Sequence, residues 1–152
     1  MIPATTSRVA AHTADDVNER IARKTKENIE FYRSAGGDAI DRRLAELDRE
    51  WDIERMLEAN AASVMLLGIY FSVSVSRKWL LMPMAVGGFL LQHAVQGWCP
   101  PLIWFRRMGF RTASEIDYER YGLKVLRGDF AGLASAKGEK SEVAKVLDAV
   151  RK

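Results

Sequence analysis

One cysteine and two histidines are all that this chain of 152 residues holds of those types. Cys99, being alone, excludes an internal disulfide. No set of His, Cys, Asp and Glu has metal-ligand spacing, and no nucleophile–base pair or paired carboxylate stands out in the apolar part of the chain. Internal repeats are absent, and the short loops leave no room for a glycine-rich phosphate motif. Met1 to Ala14 lacks the apolar core of a secretory signal. The net charge is only +3 and basic residues alternate with acidic ones, so no nucleic-acid partner is expected. No cofactor is expected either.

The longest scarcity is of charge. Ala59 to Ser76 is an 18-residue run without a charged side chain; Arg77 and Lys78 follow, and then 27 uncharged residues to Phe105. As helices, at roughly 1.5 Å per residue, the first run covers about 27 Å and the first 20 residues of the second about 30 Å, the thickness of a bilayer's hydrocarbon layer. The expected fold is therefore an all-α membrane protein: a two-helix transmembrane hairpin over 59–105, with helices at about 59–76 and 79–98, and amphipathic cytoplasmic helices on both sides. Backbone inside lipid must satisfy its own hydrogen bonds, which makes each span helical. Two cations beside Trp79 suit a turn at the headgroups, and Pro83 falls where its missing N–H costs least. A helix buried in a soluble bundle would carry a polar stripe, and Val64 to Phe71 has none. The shortness of the first run leaves a re-entrant or interfacial hairpin open. Arginines 42, 43, 49, 55, 106, 107 and 111 outweigh Arg77 and Lys78, which puts both termini in the cytoplasm of a bacterial inner membrane.

The flanking arms carry all but two of the charges. Residues 1–13 read as a mobile tail, and 14–58 as a helical arm broken at 34–37 by Gly36-Gly37. Within the first helix Val17, Ile21, Ile29 and Tyr32 form a thin stripe suited to an interface or a docked partner. Beyond the break, Ile40, Leu44, Leu47 and Trp51 recur at spacings of four, three and four, a narrow seam that calls for a partner, and the helix has no Gly or Pro to stop it before Val64. Residues 106–152 form the second arm. Thr112-Ala113-Ser114-Glu115 is a capping box that starts a helix at Ala113 carrying Ile116, Tyr121, Val125 and Leu126, with Gly128 to close it. Phe130 and Leu133 offer a short anchor, 134–140 a linker, and Ser141 caps a last helix through Val150.

Inside the hairpin Gly68 and Ser72 form a small-residue pair, while Ala85, Gly88, Gln92 and Gln96 share a face on which a second helix or a second copy could approach closely. His93 is a titratable group at membrane depth, fitted to an interhelical hydrogen bond or, with a second histidine from elsewhere, to a ligand role. Cys99 lies at the exit of the second span, where it is either a small packing residue or a functional thiol favoured by nearby Arg106 and Arg107.

At Gly97-Trp98-Cys99-Pro100 and Met108-Gly109-Phe110-Arg111-Thr112 the chain resembles the YgaP-like two-helix inner-membrane domain, a family of unknown function found alone or fused to membrane rhodaneses. The resemblance covers Ile53 to Thr112; Pro101-Leu102 departs from the Leu-Tyr usual there, and the charged arms lie outside it. It implies a hairpin with cytoplasmic ends and no established reaction. The functional expectation is a non-catalytic membrane anchor or accessory subunit, its partners the lipid bilayer and another protein or a second copy. The alternative, implied by the rhodanese association, is sulfur or persulfide handling through Cys99.

Overall fold

A computed structural model describes residues 4–131 together with Val146, Leu147 and Val150. Among them the regular structure is entirely helical: α1 (Asp15–Ala35), α2 (Gly37–Leu47), α3 (Ile53–Ser74), α4 (Leu81–Gln96), α5 (Pro100–Met108) and α6 (Ala113–Arg127), with single 3-10 turns at Ala10–His12 and Arg77–Leu80. The expected linker at 134–140, Leu133 and most of the expected last helix lie outside the described residues.

The chain forms two compact units that are interleaved in sequence rather than consecutive: residues 1–22 with 51–115, and 23–50 with 116–152. In the first unit α3 and α4 make an antiparallel hairpin. Phe71 and Trp79 stack at one end with ring centroids 5.1 Å apart, and Glu54 bonds His93 at the other. α3 starts earlier than the uncharged run because Asp52 caps it, its carboxylate accepting from the Arg55 amide at 2.8 Å. Of the two helices, α3 alone is long and apolar enough to cross a membrane, and only 17% of its most apolar window is buried. α4 has 16 residues, short of that length. The run 79–105 is not one span, because Gly97 takes a left-handed conformation (φ 83°) that ends α4, and Pro100-Pro101 open α5.

The base of the hairpin packs on Val9, Ile53, Leu57, Cys99 and Leu102, with Trp98, Phe105 and Phe110 against them. Burial of each large aliphatic side chain there contributes about 1.5–3 kcal/mol. Val9 corrects the expectation of a mobile tail: Ala4 to Thr13 is held by turn hydrogen bonds, and Val9 belongs to this core. Arg106, one of the arginines counted above for topology, is 1% exposed. Its guanidinium donates to both Glu115 carboxylate oxygens (2.7 and 2.8 Å), Asn18 Oδ1, Thr13 Oγ1 and the Phe110 carbonyl. Burying a cation is tolerable when its donors are satisfied in this way. Burial beside that guanidinium acts on Glu115 in opposite directions. Desolvation, the largest single influence, opposes ionisation, but Arg106 and the Thr112 amide and hydroxyl together hold the carboxyl below its usual range.

In the second unit α2 lays Ile40, Leu44 and Leu47 against Ile116 and Leu123 of α6, with Tyr32 alongside. The seam therefore finds its partner within the chain. Trp51 is not part of it: α2 stops at Leu47, and Trp51 is exposed beneath the Arg55 guanidinium, 4.3 Å from the ring centroid. The unbroken helix that the seam suggested is likewise replaced by a break at 48–52. α6 begins with the expected box, Thr112 Oγ1 accepting from the Glu115 amide at 3.2 Å and Glu115 Oε2 accepting from the Thr112 amide at 2.8 Å. Gly128 (φ 91°) closes it. Its buried face is Ile116, Glu119 and Leu123, whereas Tyr121 and Val125 are exposed. Glu119 is fully buried, accepting from Arg43 Nε (2.8 Å) and Asn28 Nδ2 (3.2 Å), so a carboxylate fills a position where hydropathy would place an aliphatic side chain.

Candidate functional site

Four polar side chains meet at the base of the hairpin. Glu54, in the first turn of α3, accepts from Arg8 NH2 at 3.0 Å through one carboxylate oxygen and meets His93 Nε2 at 2.8 Å through the other. Arg8 also donates from NH1 to the Ala94 carbonyl at 2.6 Å, one of the carbonyls left open at the end of α4. Close approach of this segment requires Gly97 for a second reason: a Cβ there would fall 2.7 Å from the Arg8 backbone.

His93 is 3% exposed, and its Nδ1 has no hydrogen-bond partner of acceptable geometry. The Cys99 thiol nevertheless neighbours the ring. An ionised carboxylate can only accept, so Nε2 carries the proton and donates to Glu54. Cys99 is 4% exposed, in extended conformation at the N-cap of α5, and also belongs to the wall of a pocket of about 400 Å³. Most of that wall is hydrocarbon from α3, α4 and α5, among it Leu57, Val64, Val86, Phe89, Leu90 and Trp104.

The neighbourhood of His93 and Cys99 that sequence spacing hid is thus assembled by the fold. His93 and Cys99 lie on opposite sides of the Gly97 break, and Glu54 and Arg8 arrive from distant segments. The nearest signal in sequence was an uncompensated His on an apolar helix, since such a group demands a partner. Arg106, engaged with Glu115, does not serve Cys99.

The other sequence candidates are dispersed. Gly68 is buried against Met82 and Pro83, and Ser72 donates to the Ile69 carbonyl of its own helix at 2.6 Å. Ala85, Gly88 and Gln96 are exposed, and a Cβ on Gly88 would meet nothing within 4 Å, so this face does not pack on α3. Gln92 Nε2 donates to Gln96 Oε1 at 3.5 Å. No group of three or more His, Cys, Asp or Glu suited to a metal is present among the described residues. Comparison with family models, curated proteins and solved structures finds no match.

Proposed function

We propose that the chain is a non-catalytic integral membrane protein, an anchor or accessory subunit of a bacterial inner membrane, with the α3–α4 hairpin in the bilayer and both termini cytoplasmic. The observation that carries this reading is the outward display of apolar side chains: Leu66, Tyr70 and Val73 on α3, and Leu81, Met84 and Leu91 on α4, are each at least 64% exposed. A surface of that kind needs lipid or protein over it. Since the Ile40–Leu47 seam is filled from within, partner docking falls to α6, where Tyr118, Tyr121 and Val125, at helical spacing, are exposed opposite the buried face. Topology follows from the Lys/Arg asymmetry.

The test is accessibility in intact cells. In a Cys99→Ala background, Lys78→Cys is expected to react with an impermeant thiol reagent added outside, and Ser34→Cys only after lysis. Labelling of Ser34→Cys from outside, or release of the protein by alkaline carbonate, would refute the reading. Tyr118→Asp is expected to reduce recovery of a co-purifying partner while leaving insertion intact.

A further inference from the structure

The pocket of about 400 Å³ follows α3 from Leu57 to Val64, about 10 Å at 1.5 Å per residue, and its size is that of a ligand site. Val86 and Phe89 of α4 give it one apolar wall and the exposed Trp104 of α5 another. Asn60 is the one amide side chain in the lining; it is half-buried and has no hydrogen-bond partner among the described residues. Charge stands next to this apolar space. Arg107 lies on the face of α5 that carries Pro100 and Trp104, one turn beyond the tryptophan. Arg20 of α1 reaches the same place, its NH2 donating to the Arg107 carbonyl at 3.0 Å. Both side chains are exposed, and neither has a carboxylate partner among the described residues, although Asp16 and Glu19 are neighbours of Arg20 on α1. Arg8, Arg43, Arg106 and Arg120, by contrast, are each paired with an acid.

We propose that this pocket binds one anionic phospholipid of the cytoplasmic leaflet: its phosphate sits between Arg107 and Arg20, an ester carbonyl accepts from the Asn60 amide, and one acyl chain lies between α3, α4 and α5. The site rests on the membrane reading above, which supplies the lipid. Planar guanidinium groups match phosphate oxygens, and Trp104 beside them suits the level at which indole rings collect in a bilayer. A soluble anion would use the arginines and leave the pocket empty. A neutral lipid would fill the pocket and leave the cations unmatched. An anionic phospholipid answers to both, and to the unpartnered amide between them. All of these residues belong to the first unit.

The full chain, purified in mild detergent, is titrated with phosphatidylglycerol or with phosphatidylcholine of the same acyl length, and bound lipid is counted by native mass spectrometry. The expected result is one phosphatidylglycerol per chain, held at least about fivefold more tightly than phosphatidylcholine, the factor that one cation contributes near an anionic lipid surface. Arg20→Gln combined with Arg107→Gln should bring the two lipids level, and raised salt should do the same to the parent. Val86→Trp, which fills the pocket, should weaken both lipids by about the same factor. Glycerol 3-phosphate, the headgroup chemistry without chains, should not displace phosphatidylglycerol at equal concentration. Equal retention of the two lipids by the parent, a double arginine variant that keeps the preference, a folded Val86→Trp variant that binds like the parent, or displacement by glycerol 3-phosphate would each overturn the site. Should Val86→Trp not fold, the arginine variant, altered only at exposed side chains, still decides. Any of these failures in a chain that alkaline carbonate leaves in the membrane overturns the lipid site alone, whereas release by carbonate overturns the anchor and the site together.

Discussion

Gly68 of α3 and Pro83 of α4 approach so closely that a methyl group on Gly68 would fall 2.7 Å from the proline Cδ. Neither partner can yield easily, because one is backbone and the other a ring with fixed φ. Gly68→Ala is therefore expected to push the helices apart and to destabilise the hairpin by about 1–3 kcal/mol, the usual cost of overpacking. Gly88→Ala is the control, since its Cβ meets nothing. Thermal unfolding in detergent, followed by circular dichroism, should lower the midpoint for the first and leave or raise it for the second.

Arg106 holds five hydrogen bonds from a nearly inaccessible position, two of them to one carboxylate. Arg106→Ala would strand Glu115 and should cost about 3–5 kcal/mol. Lysine offers one point of charge rather than a planar fork, so Arg106→Lys is expected to recover only a minor part of the loss. Denaturant midpoints of the two variants decide this; a lysine variant as stable as the parent would show that charge alone matters.

Glu115 also gives a pH dependence. Its folded-state carboxyl titrates below its ordinary value, the Arg106 and Thr112 contacts outweighing burial. The resulting stabilisation is complete above the unfolded-state value of about 4.3 and is lost as pH falls through the lower folded-state value. Unfolding midpoints should hold steady from neutral pH down to about 4.3 and fall between there and the lower folded-state value. Glu115→Gln should be less stable at pH 7 and show a flatter acid limb, and parallel acid limbs would count against the pair.

Leu44 tests where the α2 seam is satisfied. Because it is buried with Ile116 and Leu123 of the same chain, Leu44→Ala and Leu123→Ala should each destabilise the second unit by about 2–5 kcal/mol, at any protein concentration. Limited proteolysis would detect this as faster cleavage near Gly36. A loss that vanished on dilution would instead indicate pairing between copies.

Much of the local structure was legible in the sequence because local signals dictate it. The Thr112–Glu115 box, the Gly128 stop and the break at Gly36 each depend on a few adjacent residues and appear where the pattern puts them. The spacing of Ile40, Leu44 and Leu47 likewise identified a buried face. What spacing could not supply was the identity of the opposite face: α6 covers it, and Glu119 in the middle of that face disguises it. The candidate site was legible only as isolated residues. His93 and Cys99 could be named, but their relation depends on a left-handed glycine between them and on Glu54 and Arg8, drawn from turns that read as surface. Arg106 shows the same limit in reverse, since an arginine after an apolar run looks like an interfacial cation until its acceptors are assembled around it.

The interleaving of the two units has a consequence for biosynthesis. Residues 23–50 leave the ribosome with their apolar face complete, yet Ile116 and Leu123, which cover it, emerge only after residues 51–115 have been made. At about 5–20 residues per second the face of Ile40, Leu44 and Leu47 stays uncovered for several seconds. During that interval it is a natural binding site for a chaperone, and a ribosome stalled anywhere within α3 to α5 would release a chain whose first helices have nothing of their own to fold upon.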